Sequence, residues 1–255
     1  MPRVVLFVVD GLRPDAISSM ETPTLAGMMA RGRYSLSAQT VMPSVTLPCH
    51  MSLFHSVDPG RHGVTTNTWT PQVRPVAGLF DVAKLAGKRA AAFYNWEELR
   101  DLWRPNAVEQ AYFWRDNKSP EGDQRIAQAA AQLLPGEAYD VAFIYLGHTD
   151  EAGHREGWLS PHYRAAVRNA DGCIGRVLEA LGDEWTAFVV ADHGGHERSH
   201  GTESADDMTI PLIVAGPGVS PAELDGQVSI MDIAPTVAKL LSLPVPEEWE
   251  GRALV

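Results

Sequence analysis

Three apolar runs in this sequence end in residues that could hold a metal. Val189-Val190-Ala191 leads into Asp192-His193-Gly194-Gly195, and a second His-Gly pair, His200-Gly201, follows shortly after. Val4-Val5-Leu6-Phe7-Val8-Val9 leads into Asp10-Gly11. Val141-Ala142-Phe143-Ile144-Tyr145-Leu146 leads into Gly147-His148-Thr149-Asp150, with His154 on the same segment. Each run reads as a buried parallel strand. In open α/β sheets, ligands gather at the carboxyl ends of such strands. Carboxylate oxygen and imidazole nitrogen together make a donor set that zinc accepts, and the glycines free the backbone to turn just beyond it. Any one run is simply a strand followed by a polar turn. Three together, two of them carrying histidines, point to a metal site.

A second stretch with chemical content is Pro43-Ser44-Val45-Thr46-Leu47-Pro48-Cys49-His50, which leads into a helical pattern. A hydroxyl at a helix N-terminus meets free backbone N–H groups and the positive end of the helix dipole, a setting that favours an alkoxide and an incoming phosphate. Taken alone, Thr46 has the commoner role of an N-cap. Beside a metal site it becomes a candidate nucleophile. Cys49 is its neighbour and rival, and reads instead as a buried thiol.

The elements that would position these residues alternate. Strand patterns fall at 4–9, 89–94, 140–146, 186–191 and 211–215, with helical patterns between them. Thr22 is expected to cap a helix ending at Gly32. Further helices are expected over 123–134, 161–181 and 232–241. This predicts an α/β fold, a mostly parallel central sheet flanked by helices. Nothing forces a second domain, so residues 1–255 read as one catalytic domain. The Trp- and Arg-rich stretch 96–119 is aperiodic and reads as a lid or an excursion from the sheet.

With 255 residues the chain can bury a sizeable core, and 45% hydrophobic with 21% charged residues is ordinary for a globular protein. A net charge of −11 argues against a nucleic-acid polymer or an anionic membrane as partner. It does not exclude a small phosphorylated substrate, because bound metals can reverse the field in one cleft. The two cysteines, Cys49 and Cys173, form no CxxC unit. No signal-like leader and no run near the ~20 apolar residues of a membrane span is seen, so a cytoplasmic location is expected.

The motifs together resemble the alkaline phosphatase superfamily, and most nearly its type I phosphodiesterase/nucleotide pyrophosphatase branch. The resemblance rests on Val8-Val9-Asp10-Gly11, the Thr46 segment, Asp58-Pro59-Gly60-Arg61-His62-Gly63, Asp150-Glu151-Ala152-Gly153-His154, Asp192-His193-Gly194, His200-Gly201 and Ile230-Met231-Asp232-Ile233-Ala234-Pro235-Thr236, in the family's order. It implies two zinc ions, with other divalent transition metals as alternatives. One would be held by Asp150, His154 and His200, the other by Asp10, Thr46, Asp192 and His193. His196 is the rival to His200, which is preferred for its His-Gly-Thr form. The resemblance further implies that Thr46 attacks phosphorus and becomes phosphorylated. Asn67 and the Leu47 N–H would hold transition-state oxygens, and Tyr145 stands where the family stacks a nucleobase. Val45 and Leu47 depart from the basic and aromatic residues often found there. The remaining polar residues read as structural (His50, His62), as a cleft residue or an outer support of the metal site (His148), as a surface arginine near the site (Arg13) and as a solvated loop (Asp206-Asp207).

The expected activity is hydrolysis of phosphodiesters or nucleotide pyrophosphates. The alternatives are a phosphomonoesterase or phosphonate hydrolase of the same superfamily, or a catalytically idle binding module, which the complete ligand set disfavours. No arginine or lysine adjoins Thr46 in sequence, which favours the singly charged diester. The oligomeric state is not legible.

Overall fold

A computed structural model describes residues 2–18, 20–224 and 226–255. Among these, eight strands form one sheet: β1 (Arg3–Val9), β2 (Arg33–Gln39), β3 (Ala90–Tyr94), β4 (Gln110–Phe113), β5 (Val141–Leu146), β6 (Trp185–Val190), β7 (Thr209–Ala215) and β8 (Ala222–Glu223). Their order is β4-β3-β5-β1-β6-β7-β2-β8. The run from β4 to β6 is parallel throughout, while β7 is antiparallel to both its neighbours. The expected mostly parallel sheet flanked by helices is what forms.

The centre of the sheet is β5, β1 and β6. Every residue of β5 and β6 is buried, as are all of β1 but Arg3. A strand buried on both faces cannot alternate, which is why these read as unbroken β-branched and apolar runs. Helices must then cover both faces. Pro120–Leu133 packs with Pro161–Leu181, and Thr46–His55 packs with Ile233–Leu240. Register aligns the strand ends, with Val9 opposite Leu146 and Val8 opposite Val190. The three segments that leave β1, β5 and β6 therefore emerge side by side.

Local details differ from expectation for physical reasons. Thr22 precedes the helix Pro23–Arg31, but its hydroxyl donates to Ser18 O. That helix's first N–H groups go instead to the buried carboxylate of Asp171, which accepts from Thr24 and Leu25. Thr46 is the first helical residue rather than the cap; Val45, with extended backbone, is the cap. The 96–119 stretch is not a lid over 110–113, where β4 pairs with β3 and forms one end of the sheet. Its Trp103 packs edge-on against Phe80 and Tyr94, which fastens it to the sheet. Cys49 is a buried free thiol, as expected, and so is Cys173.

Candidate functional site: two carboxylate–imidazole groups beside Thr46

Asp10 leaves β1 and is held by its N–H, which donates to Leu146 O at 3.0 Å. Gly11 then turns with φ +65, and its N–H donates to Asp192 Oδ1 at 3.1 Å. A Cβ on Gly11 would lie 3.1 Å from Asp150 Oδ1 and 3.2 Å from its Cα. Only glycine gives both the left-handed φ and that close approach. Trp158 Nε1 and the Tyr163 hydroxyl both donate to Gly11 O, which locks the turn from outside. Asp150 lies not at the end of β5 but in the first turn of the helix His148–Glu156. The i, i+4 spacing puts His154 on the same face of that helix.

Two clusters result. Asp150, His154 and His200 form one, and Asp10, Asp192 and His193 the other, with the donor atoms of each within 4.8 Å of one another. The rings of His193 and His200 stack at 3.8 Å, so the clusters adjoin. All three imidazoles spend Nδ1 on a backbone carbonyl: His193 on Gly194 O at 2.7 Å, His200 on Ser44 O at 2.8 Å and His154 on Arg198 O at 2.9 Å. Donation from Nδ1 fixes the tautomer and leaves a lone pair on every Nε2. Those lone pairs face carboxylate oxygens: His193 Nε2 is 3.3 Å from Asp10 Oδ1 and 3.4 Å from Asp192 Oδ2, His154 Nε2 is 3.4 Å from Asp150 Oδ2, and His200 Nε2 is 3.7 Å from Asp150 Oδ1.

Asp10 Oδ1, Asp150 Oδ1 and Asp192 Oδ2 are buried and, among the described residues, have no hydrogen-bond partner. Burying an unpartnered carboxylate is costly. Acceptor facing acceptor in both clusters is a donor arrangement that fits a divalent cation in each. His196 is not among these residues. Its Nδ1 pairs with Asp207 Oδ1 at 2.7 Å, away from both clusters, whereas His200 joins Asp150. Asp207 is itself fully buried and also accepts from Thr202, while Asp206 sits in the helical turn Ala205–Met208 and pairs with Arg13, so the expected solvated loop does not form.

Thr46 Oγ1 lies 3.3 Å from His193 Nε2, at the edge of the second cluster, and is 4% exposed. His50, one turn on in the same helix, bonds Thr46 O through Nδ1 at 2.8 Å and steadies that first turn. Asn67 Oδ1 accepts the Leu47 N–H at 2.9 Å. With its oxygen occupied by a donor, the Asn67 carboxamide has its NH₂ left to serve a ligand. The Leu47 N–H, expected to bind a substrate oxygen, is thus engaged by Asn67, and the Leu47 side chain is fully buried and cannot contact a ligand.

Tyr145 also needs correction as a base-stacking residue. It is 1% exposed, its hydroxyl donates to Asp10 Oδ2, and His50 packs edge-on against its ring. A side chain on a doubly buried strand has no face left for a nucleobase. It is instead a support beneath Asp10.

Burial and neighbouring charge together set the protonation behaviour. Burial first, then the charges of Asp192 and Asp150, push Asp10 well above the usual carboxylate range. Burial and Asp192 do the same to Asp150. Burial also opposes ionisation of Asp192, but His193, His50 and the Gly11 N–H outweigh it and hold Asp192 low. Burial and His193 bring His200 down to about 3, so it is neutral and able to donate its lone pair near pH 7.

Sequence reasoning missed Asp123. It is fully buried in the helix Pro120–Leu133, and its Oδ1 accepts from Asn95 Nδ2 at 2.8 Å and His148 N–H at 3.3 Å. It thereby ties β3 to the start of the helix that carries Asp150 and His154. An aspartate in a helix's first turn ordinarily reads as a dipole partner, so no local signal marked it.

A parallel sheet with acidic and imidazole ligands at its carboxyl edge, and a hydroxyl on an adjoining helix, defines an alkaline phosphatase-like protein. The type I phosphodiesterase / nucleotide pyrophosphatase family model matches residues 4–209, and the chain belongs to that family. It is similar to human ectonucleotide pyrophosphatase/phosphodiesterase 5, with TM-score 0.80, 14% identity and 96% of each chain covered. It also shares its fold with a 2-O GAG sulfatase, at TM-score 0.78 and 16% identity, over 99% of this chain and 73% of that one. Among curated proteins, the catalytic subunit of GPI ethanolamine phosphate transferase 2 from Homo sapiens is 25% identical over 99% of this chain. A 2,3-bisphosphoglycerate-independent phosphoglycerate mutase from Methanosarcina acetivorans is 34% identical over 55% of it. The chain spans 27% of the length of each of these two relatives.

Proposed function

We propose that this chain is a two-metal hydrolase of phosphodiesters, zinc being the metal its donors suit, that works through a phosphorylated Thr46. The observation that carries this is the pairing of three unpartnered carboxylate oxygens with three imidazole lone pairs, with Thr46 Oγ1 at their edge. Asp150, His154 and His200 would hold one ion, and Asp10, Asp192 and His193 the other with Thr46. Bound there, two divalent ions would offset the buried carboxylates and stabilise charge on the attacking and leaving oxygens. Thr46 Oγ1 attacks phosphorus, forming a Thr–O–P bond as the bond to the leaving alcohol breaks. Water then attacks the same phosphorus and returns the Thr46 hydroxyl. The Asn67 NH₂ would donate to a phosphoryl oxygen as charge builds there.

A diester is favoured because the arginines nearest in motif are engaged elsewhere. Arg13 binds Asp15, Asp206 and Gly195 O, and Arg61 binds Arg74 O. A monoester's second charge therefore lacks a guanidinium partner. The test compares kcat/KM for bis-p-nitrophenyl phosphate, p-nitrophenyl phosphate, p-nitrophenyl thymidine monophosphate and a phosphonate monoester. One missing transition-state contact costs about 10²-fold, so diesters should lead by a wide margin. A monoester preference of about tenfold or more, the reverse of that margin, overturns the diester assignment.

A second reading has phospho-Thr46 resolved by an alcohol instead of water. It is motivated by the human ethanolamine phosphate transferase matched along 99% of this chain. Running the diesters of the same panel with added ethanolamine or glycerol separates the two, since transfer yields a new diester at the expense of the phosphomonoester that water would release.

A further inference from the structure

On the far side of the helix His148–Glu156 lies a cavity of about 330 Å³, closed by the starts of the helices Pro120–Leu133 and Pro161–Leu181. Asp150 and His154 face the carboxylate–imidazole clusters. His148, Ala152 and Arg155 occupy the opposite face at i, i+4 and i+7 and line the cavity. Lys118 and His162 complete the wall, and Glu156 is the one carboxylate among the described lining residues. The donors there are unspent. His148 Nδ1 is buried with no hydrogen-bond partner. Among the described residues, neither Lys118 Nζ nor the His162 ring makes a hydrogen bond or ion pair. Among the described residues Arg155 reaches only its neighbour Glu156, at 3.6 Å, with both side chains exposed to solvent.

Four nitrogen-bearing side chains converge on one concavity in a chain of net charge −11. The carboxylates of Asp116, Glu121 and Glu151 also act on His148, so the directed donors of Lys118 and Arg155, rather than a net positive field, would hold an anion. Lysine and arginine bind phosphate oxygens through short charge-assisted bonds, with imidazole N–H as an auxiliary donor. The volume is at the small end of ligand sites. We propose that this cavity is a second, non-catalytic site for a phosphate oxyanion, either inorganic phosphate or a small phosphate monoester. An anion bridging His148, Arg155 and Lys118 clamps the helix that bears Asp150 and His154 from behind. Neither Thr46 nor either cluster contributes to this site, so its failure is separable from failure of the hydrolase assignment.

The test follows histidine resonances of the purified protein by NMR during separate titrations with inorganic phosphate, glycerol 3-phosphate and acetate. The expected result is saturable movement of the His148 and His162 signals with phosphate or glycerol phosphate, the tighter of the two identifying the source. In the double variant K118Q/H162Q the remaining His148 response should need about tenfold or more higher ligand concentration, with basal diester turnover unchanged, since both residues lie outside the catalytic groups. The proposal is overturned if His148 and His162 do not move, if acetate binds as tightly as phosphate, or if the double variant responds like the parent.

Discussion

Replacing Tyr145 with phenylalanine removes one oxygen atom and tests whether metal affinity is set from beneath the site. The Tyr145 hydroxyl donates to Asp10 Oδ2. Burial, and then the charges of Asp10 and Asp192, raise the phenol well above its ordinary pKa, so it stays protonated and donating. Asp10 Oδ1, without a partner and 3.3 Å from His193 Nε2, is the oxygen left to bind a cation. Without the hydroxyl, Oδ2 becomes a second buried orphan and the carboxylate is free to rotate. A hydrogen bond to a charged group contributes about 1.5–3 kcal/mol. At 1.4 kcal/mol per decade this is about 10–100-fold in affinity, the range typical of lost supports behind metal ligands. The assay is competition with a fluorescent chelator for the metal of the Asp10 cluster. Far-UV circular dichroism confirms the fold, which the near-isosteric change should preserve. Metal affinity should fall 10–100-fold, and kcat should recover at high metal with KM for a nucleotide diester unchanged. If affinity stays within about twofold of wild type, against the expected 10–100-fold, while KM for the nucleotide diester rises, Tyr145 touches substrate and the reasoning here is wrong.

Thr46→Ala should lower diester turnover by about 10³-fold or more, since the attacking oxygen is gone, while leaving metal content near wild type; retention of near wild-type rate in steady-state kinetics would require direct attack by water. His200→Ala should lose metal from the Asp150 cluster, whereas His196→Ala should keep it and lose about 1–3 kcal/mol of stability by leaving Asp207 short of a partner; metal analysis and denaturant titration read the two apart, and metal loss in His196→Ala would exchange their roles. Asp123 is pushed up to about 7 by burial. The folded state therefore binds the extra proton between its ordinary 3.8 and about 7, and this group's contribution to stability, complete below pH 4, is lost as pH rises to about 7. At 1.36 kcal/mol per pH unit the loss is bounded at about 4 kcal/mol. Asp123→Asn should accordingly gain stability relative to wild type from pH 5 to pH 8 in thermal melts, and a constant difference across that range would contradict it.

Much of this site was legible because its ligands are local. Parallel strands buried on both faces print as apolar runs, and Asp10, Asp150, Asp192 and His193 sit within a few residues of where such runs end. His154 follows Asp150 by one helical turn. What was not legible depends on neighbours distant in sequence. The polar composition of β2 (Arg33–Gln39) hid a strand whose pairing is supplied by β7, and β4 was masked by the tryptophans around it. Tyr145 lies on a strand whose pattern says only that it is buried, not that Asp10 stands above its hydroxyl. The same holds for Leu47, whose N–H meets Asn67 across a loop, and for Asp207, which a charged dipeptide gives no reason to bury. His200 was preferred over His196 on a short local motif; in the fold His200 groups with Asp150 and His154, and what places His196 is its bond to Asp207 across the loop.

The central claim is that the two carboxylate–imidazole clusters each hold a metal ion that phosphoryl transfer needs. Metal content per chain, measured by inductively coupled plasma mass spectrometry after zinc loading and gel filtration, tests it most directly when paired with diester turnover on the same samples. The wild type should hold two ions per chain, Asp150→Ala/His200→Ala one and Asp10→Ala/His193→Ala one, with no turnover in either double variant. One ion or none in the wild type, or full turnover with either cluster emptied, would contradict it.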